Sequence, residues 1–529
     1  MLRFFSSMLT LMCAAVVMGI MGSSVIAQTR GGELVFAVSA EPPNYDCHRN
    51  SSFAFVHSVR PHYSTLLKFD APNYPAVTGD LAESWTISED GLTYTFKLHD
   101  GVKFHDGSTL TSADVKASYD RIINPQEGIV SLRQGAYSDI VSVEAPDDLT
   151  VVMKLKAPNS AMIPLLASPW NCIYSAAKLE ENPRYPETEI LGTGAFVPVE
   201  HAAGSHWIGK RFDDYFQEGK PYLDSYRAIY MRSTAARVNA LHAGEVLAEF
   251  RGHSPADRDK LIAALGDKVN VYEQPWACVL NISLNVEKEP FDDPRVRRAL
   301  SLAIDRWNGA EALSKIAFVR QVGGVLRPGY DLATPNEELE QLPGFGRDIE
   351  ASREEARRLL EEAGQSDLKF TFTNRNISMP YEAVGVFLVD QWRQIGVDAV
   401  NDPLPTSEYL AKLRGGNAEA GLDFVCDFMD EPNLQLLKYI STDNSSINYG
   451  QYTDRTLDEL FERQIRARTK EERVAILREF EKHVMEQAYN VPTFWWQRII
   501  VNWKQVKGWY MSPSHHLNQD LTDVWLSSE

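Results

Sequence analysis

Four acidic residues close together around Cys426 are the side chains best placed to do chemistry. Asp423, Asp427, Asp430 and Glu431 all fall between positions 423 and 431. Paired carboxylates can serve as general acid and general base in a hydrolase. A solvated acidic loop and a site that recognises a cation fit the same residues. The spacing does not choose between these three interpretations.

The other candidate motifs for catalysis or metal binding are incomplete. Residues 204–210 have the spacing of a phosphate-binding loop, but Arg211 stands where a Ser or Thr would hold magnesium. Residues 192–194 lack the third glycine of a dinucleotide fingerprint. His515 and His516 are adjacent but have no spaced partners that would complete a metal site. The sequence therefore predicts no catalytic residue, no metal site and no cofactor.

Composition is that of a folded, soluble protein of two or three domains. The chain has 529 residues, of which 44 % are hydrophobic and 24 % charged, and its net charge is −19. An acidic balance disfavours nucleic-acid binding, which needs a basic surface.

The N-terminus has the features of an export signal. Arg3 precedes a long uncharged apolar run, and Val25 with Ala27 forms an Ala-x-Ala-like end. This pattern predicts a signal peptide over residues 1–27, which would leave a soluble periplasmic protein. A retained N-terminal anchor is the alternative.

Four cysteines follow the predicted cleavage site: Cys47, Cys172, Cys278 and Cys426. Their wide spacing fits no zinc or redox motif. In an exported protein they can form up to two disulfides, with three possible full pairings, or remain buried thiols.

Hydrophobic periodicity predicts a mixed α/β protein without long linkers. Alternating apolar residues predict a hairpin over 92–104, and a capping box at Thr111 and Asp114 starts a helix. Asp293 is expected to cap a helix over 294–304, and Ser352 a helix over 353–363. Two strands are expected near the end, over 491–496 and 499–503.

Several segments together resemble the family 5 extracellular solute-binding proteins of peptide, opine and nickel ABC importers. The matching motifs are Leu-Ala-Glu-Ser-Trp at 81–85, Asp-Gly-Leu-Thr-Tyr-Thr-Phe at 90–96, Gly-Val-Lys-Phe-His-Asp-Gly at 101–107, Gly-Thr-Gly-Ala-Phe at 192–196 and Ala-Leu-His-Ala-Gly-Glu at 240–245. Residues 290–306 also match closely, and the resemblance extends over about residues 33–510.

The resemblance implies an α/β, two-lobed periplasmic-binding-protein fold of the type II, cluster C-like kind. Lobe I would span residues 28–280, with an extra subdomain at about 73–190. Lobe II would span 281–490, and residues 491–529 would return to lobe I. Such proteins close two lobes around a solute and deliver it to an ABC permease with its ATPase subunits, and they are typically monomers without enzymatic activity.

The resemblance also implies ligand-binding residues. Asp427 matches the aspartate that holds a ligand ammonium group in peptide-binding relatives, and Arg375 lies near the position of a carboxylate-binding arginine. Other candidates follow from position: Tyr45, His48, Trp276, Trp495 and Trp496. Only one of the two adjacent tryptophans can face the site, because side chains alternate along a strand. A peptide or opine is the expected solute. Nickel or a metal chelate is the alternative, and a carboxylate-dependent hydrolase is a further one.

Overall fold

The computed structural model describes residues 28–42 and 44–528, so the predicted signal peptide lies outside the described residues. The strands are β1 (Glu33–Val38), β2 (Leu67–Phe69), β3 (Val77–Gly79), β4 (Ala82–Ile87), β5 (Thr93–Leu98), β6 (Ile140–Asp147), β7 (Thr150–Leu155), β8 (Phe196–Ala202), β9 (His206–Arg211), β10 (Ser225–Tyr230), β11 (Ala248–Glu249), β12 (Val269–Leu284), β13 (Val319–Gln321), β14 (Lys369–Arg375), β15 (Asp398–Leu404), β16 (Ala420–Cys426), β17 (Asn490–Trp503), β18 (Val506–Lys507) and β19 (Trp525–Leu526).

The helices are interspersed among these strands along the chain. They are α1 (Phe53–Val59), α2 (Ser112–Ile123), α3 (Met162–Leu166), α4 (Ala176–Glu181), α5 (Thr234–Ala243), α6 (Pro255–Leu265), α7 (Pro294–Leu302), α8 (Arg306–Leu313), α9 (Asn336–Leu339), α10 (Ile349–Glu362), α11 (Ala383–Arg393), α12 (Thr406–Arg414), α13 (Pro432–Gln435), α14 (Arg455–Arg466) and α15 (Lys470–Gln487). No helix in the described part of the chain is long and apolar enough to cross a membrane.

Three larger sheets organise the molecule. A five-stranded sheet has the order β11-β1-β10-β9-β8, and a four-stranded antiparallel sheet has the order β4-β5-β7-β6. The third sheet has six strands in the order β13-β17-β12-β16-β14-β15. Two large hydrophobic cores accompany them, one built mainly from residues before 251 and the other from residues 280–494.

The long strands β12 and β17 connect these two parts of the molecule. They pair antiparallel from Val269 opposite Trp503 to Ser283 opposite Asn490. Val269 packs with α5 and α6 beside the five-stranded sheet, whereas Phe494 packs in the core of the six-stranded sheet. Each strand thus contributes to both parts. The lobe limits at residues 280 and 490, and the subdomain limits at 73 and 190, stay predictions.

The structure confirms some of the predicted elements and corrects others. The capping box of Thr111 and Asp114 starts α2, and Asp293 caps α7. The cap of α10 is Asp348 and not Ser352, so this helix begins a turn earlier than predicted. The predicted strands 491–496 and 499–503 form one continuous strand, β17, because its partner β12 runs past both. Strand β5 pairs with β4 and β7 instead of forming a hairpin with residues 102–104.

Both disulfides form, and the structure selects one of the three possible pairings. Cys47 bonds Cys172, and Cys278 bonds Cys426. Cys278 and Cys426 lie directly opposite each other in the β12–β16 ladder, so sheet register brings them together. The second disulfide therefore ties β16 to the long strand β12, immediately before Asp427.

Candidate ligand-binding site

Three of the four clustered acids are buried and neutralised by basic side chains. The pairs are Asp423 with Lys438, Asp430 with Arg327 at 2.9 Å, and Glu431 with Arg473. The three acids are at most 4 % exposed, so the interpretation as a solvated loop is wrong. Buried carboxylates require such partners, because an unpaired charge in the interior is costly.

Asp427 differs from its neighbours because it has no such partner. Its backbone N–H donates to the carbonyl of Ala277 on β12 at 3.2 Å, which continues the β12–β16 ladder beyond the disulfide. The side chain is partly buried, and its Oδ2 atom is buried without a hydrogen-bond partner among the described residues. Burial, with a smaller contribution from the charge of Asp430, raises the pKa of Asp427 to about 7. A carboxylate of this kind suits a cationic group of a ligand.

A continuous series of aromatic rings passes through Trp276, the residue of β12 that precedes Ala277. We call it the aromatic wall, and its members in contact order are Phe53, His515, Trp276, Trp496, Tyr381 and Phe424. Successive ring centroids are 5.8, 5.2, 5.6, 6.2 and 6.1 Å apart. The wall combines rings from α1, the C-terminal tail, β12, β17, β16 and the segment before α11. Such a surface can cover apolar parts of a solute.

Trp495 and Trp496 point to opposite faces of β17, as strand alternation requires. Trp495 is 1 % exposed, packs with Val279 and Val425, and donates its indole N–H to the carbonyl of Gly324 at 3.2 Å. Trp496 lies in the aromatic wall, and its indole nitrogen is buried without a hydrogen-bond partner among the described residues. Trp495 is therefore part of a core, and Trp496 is the member of the pair that has a free donor.

Arg375, the last residue of β14, contacts one end of the aromatic wall. Its guanidinium carbon lies 5.3 Å from the ring centroid of Tyr381 and 5.9 Å from that of Phe424. Nε donates to Thr406 Oγ1 at 2.9 Å, and Nη1 donates to the Tyr381 hydroxyl at 3.4 Å. No carboxylate in the described ranges forms an ion pair with it. Hydrogen bonds to Thr406 and Tyr381 thus hold Arg375 in place, while no carboxylate of the described residues neutralises its charge.

A second arginine, Arg251, contacts the other end of the wall. It follows β11, and its guanidinium carbon lies 4.3 Å from the ring centroid of Phe53. Burial and the positive charges of Arg237 and Arg375 lower its pKa, while Glu249 acts in the opposite direction. The sequence analysis missed this residue, because Phe250-Arg251-Gly252 matches no motif and its partners are distant in the chain.

Tyr45 and His48 do not lie beside the aromatic wall. Tyr45 hydrogen-bonds His201 Nδ1 at 2.8 Å and packs on Trp207, on strands β8 and β9. His48 is fully buried, with Nε2 3.1 Å from the Cys172 carbonyl and Nδ1 3.0 Å from Arg121. Burial lowers the pKa of His48 to about 3. Both ring nitrogens of His48 are occupied, so its surroundings are those of a structural residue beside the first disulfide.

The adjacent histidines His515 and His516 are partly buried and packed against other rings, not exposed in a tail. His515 Nδ1 accepts a hydrogen bond from the Trp276 indole at 3.1 Å, and His516 packs on Trp170. Burial lowers the pKa of both imidazoles. Across the described ranges, no three His, Cys, Asp or Glu side chains are grouped so that they could hold a metal ion.

The amino-acid sequence matches the model of one protein family over more than half of its length. The model of the bacterial extracellular solute-binding proteins, family 5, matches residues 76–446. The chain belongs to this family. As a family 5 protein it is the substrate-binding component of an ABC importer, and the resemblance seen in the sequence is confirmed.

Individual relatives agree with the family assignment. The glutathione-binding protein GsiB of Salmonella paratyphi A is 28 % identical over 456 residues, which cover 84 % of this chain and 85 % of the relative. The substrate-binding protein CtaP of Listeria monocytogenes has a TM-score of 0.81 at 23 % identity, covering 94 % of this chain and 100 % of that one. AgaA of A. tumefaciens R10, solved with agropinic acid, has a TM-score of 0.76 at 24 % identity, covering 94 % and 99 %. These likenesses confirm the two-lobed periplasmic-binding-protein fold.

Proposed function

We propose that this family 5 protein captures a peptide-like zwitterion in the periplasm and hands it to an ABC permease, without catalysing a reaction. Asp427 binds the ammonium group of the solute, Arg375 binds a carboxylate, and the aromatic wall covers the part between them. The protein acts as a soluble monomer after removal of residues 1–27. A relative named for glutathione and a similar structure solved with agropinic acid support a peptide or opine as solute.

The observation that carries this proposal is the isolation of Asp427 among neutralised acids. Asp423, Asp430 and Glu431 each have a basic partner, so their charges serve the fold. Asp427 and Arg375 have none among the described residues. Arg375 contacts the aromatic wall, and Asp427 follows the end of β16, the strand that carries the wall residue Phe424. Because a buried charge without a counter-charge is costly, a solute that supplies both counter-charges is bound favourably.

The same isolation argues against a carboxylate-dependent hydrolase. Paired-carboxylate catalysis requires a second free carboxyl group near the first. Asp430, the acid whose charge acts on Asp427, accepts hydrogen bonds from Arg327 Nε at both carboxylate oxygens, each at 2.9 Å. Asp430 is therefore committed to an ion pair.

The test is ligand-induced thermal stabilisation of protein that has been unfolded and refolded to remove bound solute. We expect zwitterionic peptides of two to five residues to raise the melting temperature of the wild type, and Asp427→Asn to abolish this rise. The control is Asp390→Asn, which changes an exposed acid of α11 paired with Arg393 and should respond like the wild type.

Two results would contradict the proposal: a wild type that no peptide in the panel stabilises, or an Asp427→Asn variant that is stabilised as strongly as the wild type. Mass spectrometry of the solute that co-purifies with the protein identifies the compound directly.

A further inference from the structure

The two parts of the molecule also touch away from strands β12 and β17, first in the segment that follows β16. Met429 is fully buried in the first core, although it comes directly after a strand of the six-stranded sheet. The backbone N–H of Asp430 donates to the hydroxyl group of Tyr74 at 2.8 Å. The Tyr74 ring in turn packs against Phe69 of β2, with ring centroids 5.2 Å apart. The second part therefore inserts one side chain into the first core and hydrogen-bonds a residue beside it.

A second contact joins the end of α14 to residues around β6 and β7. The backbone N–H of Ser160 donates to the carbonyl of Ile465 at 2.9 Å, and its hydroxyl group donates to the carbonyl of Gln464 at 3.1 Å. Arg466 Nη1 and Nη2 donate to the two carboxylate oxygens of Asp139, at 2.6 and 3.2 Å. A bidentate ion pair of this kind is strong and requires a defined geometry.

Within the second part, one hydrogen-bond network connects these two contacts. Gln464 Nε2 donates to Asn433 Oδ1 at 2.8 Å, and Gln464 Oε1 accepts from Arg473 Nε at 3.0 Å. Arg473 also pairs with Glu431, the neighbour of Asp430. The segment after β16 and the end of α14 are thus fixed to each other and meet the first part as one surface.

We call this set of contacts the latch; it consists of Tyr74, Asp139 and Ser160 in the first part and of Met429, Asp430 and residues 464–466 in the second. Its hydrogen bonds join groups of the protein itself, so it can form without a solute. Two parts connected by two neighbouring strands alone are expected to move relative to each other. We propose that the latch holds the two parts of the ligand-free protein in the arrangement of the structure, so that opening requires breaking it.

The latch also bears on the site, because the segment from Asp427 to Asp430 carries both the proposed ammonium ligand and half of the latch. A solute that binds Asp427 meets a segment whose position is already fixed, which lowers the cost of ordering it. This consequence rests on the function proposed above. The latch itself does not depend on which solute the protein binds.

The test removes one hydrogen-bonding group from each half of the latch. Tyr74→Phe deletes only the hydroxyl oxygen that accepts from Asp430, and Arg466→Gln removes the charge that pairs with Asp139. The Arg466 side chain is 34 % exposed, so the double variant should fold, as checked by circular dichroism.

The matched control carries the same two substitutions away from the latch, Tyr510→Phe and Arg455→Gln. Tyr510 is 45 % exposed, and Arg455 begins α14, at the opposite end of the helix from Arg466, in an exposed ion pair with Asp443. This control should behave like the wild type in every measurement.

Small-angle X-ray scattering and hydrogen exchange are measured on refolded, ligand-free protein. We expect the scattering profile of the wild type to match the one calculated from the structure, and the double variant to have a larger radius of gyration. The amides of Ser160 and Asp430 donate across the latch, so they should exchange slowly in the wild type. In the double variant they should exchange at least about 10-fold faster, because a hydrogen bond to a charged group contributes at least that factor.

Two outcomes would overturn the proposal. In the first, the ligand-free wild type is already more extended than the structure and its Ser160 amide exchanges rapidly. In the second, the double variant keeps the radius of gyration and the exchange rates of the wild type. If the double variant does not fold, Tyr74→Phe alone is measured in the same way and decides the question. No peptide enters these measurements, so a failure of the proposed function leaves their result unchanged.

Discussion

Replacing Asp427 by Asn should stabilise the ligand-free protein at pH 8 while abolishing ligand binding. The reason is that the folded state holds this carboxylate without a partner. Burial raises the pKa of Asp427 from 3.8 to about 7, whereas in the unfolded chain the carboxyl titrates near its ordinary value. The ionised side chain therefore destabilises the fold, and a neutral amide of nearly the same shape removes that cost.

The size of the effect follows from the pKa. Each pH unit of difference between folded and unfolded states corresponds to about 1.4 kcal/mol, which gives a ceiling of about 4 kcal/mol. The side chain keeps some contact with solvent, so we expect a gain of about 1–2 kcal/mol in the free energy of unfolding at pH 8. Because the pKa of Asp427 is raised in the folded state, folding favours the protonated carboxyl. The wild type therefore has its full stability below pH 4 and loses part of it as the pH rises through about 7. The advantage of the variant should therefore shrink between pH 7 and pH 4.

Urea unfolding of refolded, ligand-free protein at pH 5 and pH 8 measures this difference. Asp430→Asn is the control, because it removes the partner of Arg327 from a buried ion pair and should destabilise the protein at both values. The reasoning is refuted if Asp427→Asn is less stable than the wild type at pH 8, or if its advantage does not depend on pH.

Two further predictions concern contacts between distant segments. Arg466→Gln should lower the free energy of unfolding by about 1 kcal/mol in urea titrations. The reason is that Arg466 Nη1 contacts Asp139 Oδ2 at 2.6 Å, and the side chain of Asp139 is only 8 % exposed. An unchanged unfolding midpoint would show that water replaces this ion pair at no cost. Replacing both Cys278 and Cys426 by Ser should lower the free energy of unfolding by about 2–4 kcal/mol, because the disulfide closes a loop with a sequence separation of 148 residues. Calorimetric unfolding of this double variant beside the wild type checks the value, and equal stability would contradict it.

The family and the fold could be predicted from sequence because both depend on local motifs. The capping box at Thr111 and the Asp-Pro start of α7 at Asp293 are local signals, and the structure contains both. The sequence predicts the N-terminus of α10 at Ser352, but Asp348, four residues earlier, is an equally good cap and is the one that the structure uses. The sequence predicts two strands where the structure has β17 alone, because the continuity of β17 depends on pairing with β12, which lies far away in the chain.

The charge state of the site could not be predicted, because it depends on which partners the fold supplies. Asp423, Asp427 and Asp430 look alike in the sequence, yet Lys438 and Arg327 neutralise the first and the third. Arg251 has no local signal at all, because Phe53, the ring that it contacts, lies far away in the chain.

The pairing of β12 with β17 bears on how specificity can be exchanged between relatives. Ser283 and Asn490 are direct partners in the ladder and share a side-chain hydrogen bond of 2.7 Å. The chain therefore leaves the β12–β17 ladder after Ser283 and returns to it at Asn490, directly opposite. Residues 284–489 are thus a single insertion between two neighbouring positions of the ladder. Grafting that segment from another family member would therefore replace the positions of Arg375 and Asp427 together and leave the part of the recipient's first core that precedes residue 251 unchanged.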